Sequence, residues 1–311
     1  MTAKSSHSLD PRTVKIPNPD KVMFPGEGIT KRDLADYYER IAPVMLPHLR
    51  DRPLHLQRFP DGIEEEEVHQ KQVPQHFPDW VHRVRVPRKQ GGSIEQVLCQ
   101  DAATLVYLVG QACLTPHAWL SRSDGLDNPD LMIFDLDPPA GDLKPAVAAA
   151  RELRDLLGDL GLTAFVKATG GRGLHVAVPL DRRSRFDATR TFAREVATML
   201  AERRPDDFTV EQRKEKRGGR LFLDTMRNAY AQTAVAPYAV RARPGAPAAV
   251  PLEWEELGQR GFRPDGYPSR SVFDLLEKRP DPWAQIGRRA GSLERASREL
   301  QRLREAPGRP R

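Results

Sequence analysis

LMIFDLDP (Leu131–Pro138) and KATGGRGLHVAVPL (Lys167–Leu180) decide how this chain is read. The first is an apolar run that closes on two aspartates. Side chains alternate along a strand, so Asp135 and Asp137 share a face while Leu136 points away, and Pro138 and Pro139 end the element. Two carboxylates side by side repel unless a cation lies between them, and hard oxygen ligands suit Mg²⁺ or Mn²⁺. Read alone, the same pair serves equally as solvated turn acids. The buried Leu-Met-Ile-Phe run favours the first reading, because it brings the acids out at a core edge. The second stretch is a glycine turn joining two strands. It is neither a Walker loop nor a dinucleotide fingerprint. Its three glycines permit close approach to an anion, Arg172 offers a fork for phosphate oxygens, and Thr169 and His175 can each donate a hydrogen bond. The alternative is an ordinary hairpin with His175 packed inward. A third acid, Asp224, also follows an apolar triplet, Leu221-Phe222-Leu223, and three strand-end carboxylates suit a two-metal clamp for in-line phosphoryl transfer.

Outward from these stretches the pattern alternates. Strands are expected at Leu131 to Asp135, Thr163 to Lys167, His175 to Leu180 and Leu221 to Asp224, with helices at Lys144 to Leu160 and Asp187 to Arg203. The fold class is α/β (α+β), a mixed-sheet core with a smaller N-terminal lobe. That lobe opens on a helix from about Lys31 to Leu49, with Leu34, Tyr37, Tyr38, Ile41, Val44 and Met45 on its apolar face. Thr30 and Asp33 form a capping box at its start, and Pro43 and Pro47 are expected to bend or shorten its end. Glu64 to Glu67 reads as a solvated turn or helix start, and Ala102 to Leu114 as one further apolar element. The turn-rich SDGLDNPD (Ser123–Asp130) marks the boundary between a lobe at 1–125 and a core at 126–250. A C-terminal segment, 251–311, holds an arginine-rich amphipathic helix and a frayed tail, and Pro244 to Pro251 reads as a loop.

The chain has 311 residues, 39% hydrophobic and 30% charged, with a net charge of +6, mild evidence for a polyanionic partner. No apolar run approaches the roughly 20 residues of a membrane span. MTAKSSHSLDPRTVK lacks the apolar core of a secretory signal. Cys99 and Cys113 lie singly in apolar stretches and read as reduced thiols, so zinc has no support and the expected location is cytoplasmic.

Taken together, Asp135-Leu136-Asp137, Thr169-Gly170-Gly171-Arg172-Gly173-Leu174-His175, Asp224 and the run Val235-Ala236-Pro237-Tyr238-Ala239-Val240-Arg241-Ala242-Arg243 occur in the order of one family. The chain resembles the polymerase domain of bacterial DNA ligase D, in the archaeo-eukaryotic primase superfamily. The likeness runs from Ile16-Pro17-Asn18-Pro19-Asp20-Lys21 to Pro251-Leu252-Glu253-Trp254-Glu255-Glu256-Leu257 and leaves no room for ligase or nuclease modules, which implies a stand-alone relative. It implies a template-directed polymerase that fills gaps or extends DNA ends in break repair, often with ribonucleotides, and is monomeric and nucleoid-associated. Asp135 and Asp137 would hold two Mn²⁺ or Mg²⁺ ions and Asp224 the catalytic one. Thr169, Arg172, His175, His117, Arg241 and Arg243 would grip the NTP or dNTP. Asn18, Lys21 and Lys31 match a pocket for a DNA 5′-phosphate; Lys31, at the first turn of a capped helix, would be helped by the helix end. Lys71 is a further DNA contact. RKEKRGGR (Arg213–Arg220) and Arg182-Arg183-Ser184-Arg185 offer backbone contacts. Implied partners are gapped or broken DNA, Ku and a separate ligase.

Two departures from the family stand out: Val68-His69 replaces an aromatic pair before Lys71-Gln72, and Thr225 and Gln232 replace a tryptophan and a lysine after Asp224. A primase-polymerase of gap repair, and a catalytically silent DNA-end-binding module that recruits Ku or ligase, are the other readings.

Overall fold

A computed structural model describes residues 14–138 and 142–305. The N-terminal leader reading, Pro139 and the C-terminal tail fall wholly or mostly outside the described residues.

The chain first pairs two short strands, β1 (Val22–Phe24) and β2 (Ile29–Thr30), and enters α1 (Lys31–Leu49). The expected capping box is present: Asp33 N donates to Thr30 Oγ1 and Thr30 N to the Asp33 carboxylate. Pro43 and Pro47 do not shorten the helix, which runs through both to Leu49. Their missing N–H groups are offset by burial of Ile41, Ala42, Met45, Leu46 and Leu49.

Ala102 to Leu114 is two elements. Asp101 caps α2 (Ala102–Gly110), Ala112 turns in the left-handed region at φ 60°, and the chain leaves as strand β7 (Cys113–Trp119). A continuous apolar run hides such a change of period. β7 joins a four-stranded sheet with β3 (Leu54–Arg58), β4 (Val68–Gln70) and β13 (Thr233–Val235), in the order β13-β7-β3-β4. β5 (Arg83–Pro87) and β6 (Ser93–Val97) form a separate hairpin.

The second sheet has the order β11-β12-β8-β10-β9-β14: β11 (Phe208–Thr209), β12 (Leu221–Asp224), β8 (Leu131–Asp137), β10 (Leu174–Pro179), β9 (Phe165–Ala168) and β14 (Pro251–Leu252). All neighbours are antiparallel except β11 and β12. Met132, Phe134, Leu136, Leu174, Val176 and Val178 face the cluster that includes the apolar sides of α3 (Lys144–Asp159) and α4 (Phe186–Arg203). The alternate residues, Ile133 and Ala177 among them, belong to a smaller cluster on the other face with Trp283. That parity places Asp135 and His175 away from the helices.

The three expected segments interlock. β13 completes the sheet of the N-terminal region, and β14 completes the six-stranded sheet. Pro244 to Pro251 is largely irregular, as expected, but packed inside: Ala246, Ala248, Ala249 and Val250 are fully buried, and Val250 exchanges backbone hydrogen bonds with Ala168. After α5 (Val272–Lys278), α6 (Leu293–Glu305) buries Leu293, Ala296 and Leu300 and exposes its arginines. Among the described residues no helix is long and apolar enough to cross a membrane.

Candidate active site

Strand register builds the site. Asp224 on β12 lies opposite Asp135 on β8, Asp135 opposite His175 on β10, and His175 opposite Lys167 on β9. Four ionisable side chains thus form one row across four adjacent strands, on the face that the helices leave free.

Asp135 is buried. Its Oδ1 lies 3.5 Å from His175 Nε2 and its Oδ2 2.8 Å from Arg227 Nε. Burial would raise its pKa, but His175 and Arg227 outweigh burial and hold the carboxyl well below the usual range. Burial pushes His175 down to about 4 despite Asp135. The imidazole is therefore neutral at pH 7, and Arg227 is the charge that balances Asp135 there. His175 Nδ1 is buried without a hydrogen-bond partner. Asp137 is pushed up by burial and by Asp135; Asp224 is pushed up by burial first, with Asp135 adding to it. Asp224 also accepts from Met226 N at 2.7 Å.

The glycine turn lies against this row. A Cβ on Gly173 would stand 2.4 Å from Leu136 O and 2.7 Å from Asp137 Oδ1, so only glycine lets the turn reach the acids. Gly170 has φ +64°, and a Cβ there would meet Arg241 Cγ at 2.7 Å. Thr169 does not offer the free donor expected of it. Its hydroxyl donates to Gly173 O at 2.9 Å and closes the turn, while Gly171 N donates to Thr169 Oγ1 at 3.3 Å. A cavity of about 110 Å³ is lined by Asp135, Asp137, Thr169, Arg172, His175, His117, Arg241 and Arg243. Asp224 reaches the site through its pairing with Asp135 rather than as a wall of this cavity.

Among the described residues Arg172 and Arg243 have no ion-pair or hydrogen-bond partner for their side chains, and both are exposed. Arg241 is more enclosed and donates to Thr169 O at 3.2 Å; burial and then Arg243 depress its pKa. His117 projects from β7, its Nε2 3.3 Å from Gln57 Oε1, and burial holds the imidazole neutral. Two charged groups of the site escaped the sequence reading. Arg227 follows Asp224 in a turn with no motif of its own. Lys167 was read only as the start of the glycine stretch, yet it is 1% exposed, donates to Val235 O, and is pushed down by burial to about 7. Its one available signal was a lysine closing an apolar strand.

The residues expected at a DNA 5′-phosphate gather differently. Lys31 is buried, with Nζ 3.1 Å from Pro17 O and 3.4 Å from Gly110 O, and burial lowers its pKa. Lys21 Nζ lies 2.7 Å from Asp61 Oδ1. Asn18 turns the backbone at φ 49°. The end of α1 is not an open anion site: Lys31 N donates to Lys21 O, Arg32 N to Pro19 O and Asp33 N to Thr30 Oγ1. What remains is a cluster of cations, Lys21, Lys31 and Arg58, close enough to depress Lys31. Lys71 is exposed beside β4. In the expected backbone-contact stretches Arg182 pairs with Asp124 and Arg185 with Asp127, while Arg217 stacks on Phe222.

Among the described residues no three His, Cys, Asp or Glu side chains are already arranged around an ion. The donor chemistry nevertheless fits one. Asp137 and Asp224 are held near Asp135 at an electrostatic cost that a cation would relieve, and the three carboxylates offer hard oxygen ligands.

Carboxylates and guanidinium groups thus line one cavity, a composition compatible with a nucleotidyltransferase. The profile of the LigD primase-polymerase domain matches residues 30–283, and the chain belongs to that family of DNA-directed nucleotidyltransferases. It is 34% identical over 270 residues to the multifunctional non-homologous end joining DNA repair protein LigD of Mycobacterium tuberculosis, covering 84% of this chain and 35% of that protein. To LigD of Pseudomonas aeruginosa it is 34% identical over 294 residues, 93% of this chain and 34% of the relative. The chain thus spans about a third of the length of these relatives. The fold matches the polymerase domain of Mycobacterium tuberculosis ligase D, solved in complex with DNA, with a TM-score of 0.84 and 30% identity over 90% of this chain and 99% of that one.

Proposed function

We propose that this chain is a template-directed nucleotidyltransferase that fills gaps or extends DNA ends in break repair, with ribonucleotides among its substrates. One observation carries the reading: Asp135 and Asp137 line one cavity with Arg172, Arg241 and Arg243 at the glycine turn, and Asp224 stands in strand register with Asp135. Asp135, Asp137 and Asp224 would hold two divalent cations, Mn²⁺ or Mg²⁺. Bound there, the cations would acidify a primer 3′-hydroxyl and screen the departing pyrophosphate. Arg172 and Arg243, whose donors are free, bind the triphosphate oxygens, and Arg241 adds charge from a partly desolvated position. Thr169 keeps the turn closed so that Gly171 and Arg172 present themselves to the phosphates. His175 orients Asp135, and neutral His117 closes the opposite side against base or sugar. Lys21, Lys31 and Arg58 supply the field that attracts a 5′-phosphate, and Lys71 a contact along the strand. DNA with a 5′-phosphorylated gap or end is the partner; Ku and a separate ligase would be its companions in the cytoplasm, at the nucleoid.

Primer extension on a 5′-phosphorylated gap with Mn²⁺ and labelled NTPs tests this. Extension should be seen with the wild type and disappear with Asp135→Ala. Unchanged extension by that variant, or none by the wild type, rejects the reading.

A further inference from the structure

The limb that carries Arg241 and Arg243 is held in an unusual way. On one edge it pairs with the chain ahead: Tyr238 N donates to Ala249 O, Ala249 N to Ala239 O, and Arg241 N to Pro247 O at 2.7 Å. On the other edge, among the described residues, no strand backbone is hydrogen-bonded to it, and buried hydroxyls take the strand's place. Tyr37 OH donates to Tyr238 O at 2.8 Å. Tyr38 OH accepts from Val240 N at 3.0 Å and donates to Leu114 O at 2.5 Å. Thr115 Oγ1 donates to Val240 O at 2.6 Å.

Two of these bonds meet on one peptide unit, and the Tyr38 bond holds the unit before it. The carbonyl of Val240 and the N–H of Arg241 belong to the same amide plane; Thr115 fixes the first and Pro247 O the second. Thr115 and His117 lie two residues apart on β7 and so share a face, and Leu114 precedes them. The Tyr38 hydroxyl therefore bridges the strand that carries His117 and the limb that carries Arg241. Tyr38 is 1% exposed and Thr115 fully buried, so water cannot substitute for either hydroxyl.

We propose that the hydroxyls of Tyr38 and Thr115 are positioning groups that fix His117 and Arg241 at their separation across the nucleotide cavity. The inference rests on the reading that this cavity takes the triphosphate. A guanidinium at the end of a flexible side chain is useful only where its Cα is fixed, and here hydroxyls from helix α1 and strand β7 add to the backbone pairing on the limb's other edge. Removal of one hydroxyl leaves a buried amide group unpaired, and the limb must move to find a new partner.

The test compares Thr115→Val, Thr115→Ser, Tyr38→Phe and Arg241→Ala with the wild type. Thr115→Val keeps the shape and loses the hydroxyl; Thr115→Ser keeps the hydroxyl and loses a methyl. Equilibrium binding of radiolabelled ATP with Mn²⁺ is read beside binding of a 5′-phosphorylated gapped duplex, and KM and kcat are separated in extension assays. Thr115→Val and Tyr38→Phe should each weaken ATP binding about tenfold and raise KM more than they lower kcat. Thr115→Ser should stay within about twofold of wild type, and duplex binding should be unchanged in all of these variants. Wild-type ATP affinity in Thr115→Val and Tyr38→Phe, beside a weakened Arg241→Ala, overturns the positioning role alone. So does a Thr115→Ser as weak as Thr115→Val, or a parallel loss of duplex binding. Wild-type ATP affinity in Arg241→Ala overturns the nucleotide-site reading and this inference with it.

Discussion

Gly173→Ala perturbs the proposed active site without removing any of its chemistry. The new Cβ would begin 2.4 Å from Leu136 O and 2.7 Å from Asp137 Oδ1. Ordinary contact begins near 3.4 Å, so the carbonyl must retreat by about 1 Å while the carboxylate also gives way. Neither atom is the loose end of a flexible chain. Leu136 lies between Asp135 and Asp137 and pairs in register with Leu174, so the retreat carries both acids with it. Crowding of this kind costs about 1–3 kcal/mol of stability, and a displacement of about 1 Å in a reacting group costs about 10²-fold in rate. Gly173→Ala should therefore melt a few degrees lower and show kcat reduced about 10²-fold at saturating NTP. Gly158→Ala is the control: it sits in α3 with nothing within 4 Å of its Cβ, and its activity should match wild type. Single-turnover extension and thermal melts read both. A Gly173→Ala enzyme within threefold of wild-type kcat would show that close turn-to-acid contact does not govern the reaction.

Other expectations concern charge. Arg52 donates to both oxygens of Asp130, at 2.6 and 2.7 Å, and both groups are well shielded. Asp130→Asn should cost about 3–5 kcal/mol in urea melts, and a cost below 1 kcal/mol would contradict the pairing. Burial would raise the Asp130 carboxyl, but Arg52 and Arg122 hold it below its usual value, so its contribution is full above pH 4 and is lost as pH falls through the folded-state pKa. Lys167 has the opposite slope. With its pKa lowered from 10.5 to about 7, the unfolded chain binds the extra proton between those values. Stability relative to Lys167→Met should then rise from pH 7 toward pH 10, by at most about 5 kcal/mol; a flat difference argues against a neutralised lysine. Asp61→Ala releases Lys21 from its exposed ion pair and should tighten binding of 5′-phosphorylated over 5′-hydroxyl DNA two- to fivefold at low salt, the gain fading in high salt. An equal gain on both ends would remove Lys21 from phosphate recognition.

What the sequence disclosed follows from the range of each signal. Amphipathic periods placed α1, α3 and α4 within a residue or two, because helical patterns and caps are local. The acids and the glycine turn were legible for the same reason, since each sits at the end of an apolar strand. Short strands were not: β11, β13 and β14 have two or three residues each and owe their pairing to distant partners. Proline gave no measure of burial: α1 keeps its expected length through Pro43 and Pro47, and the irregular 244–251 limb is largely buried. Burial was not legible at Lys31: its place at a capped helix start says nothing of the contacts its ammonium makes with Pro17 O and Gly110 O.

Arg227 and Lys167 show why charge is the hardest part of a site to read from a chain. Neither belongs to a motif, and each acquires meaning only through strand register, which brings Asp135 beside Arg227 and places Lys167 one strand beyond His175. The result is an unevenly balanced pocket. Asp135 is held charged by His175 and Arg227, Asp137 and Asp224 are pushed toward protonation, and among the described residues Arg172 and Arg243 have no side-chain partner although they share the cavity with Asp135 and Asp137. A fold selected for stability alone would let those arginines collapse onto those carboxylates. The glycine turn and the hydroxyl-suspended limb hold them apart, and rigid separation of opposite charges favours a ligand that itself carries both signs, as a metal-bound triphosphate does.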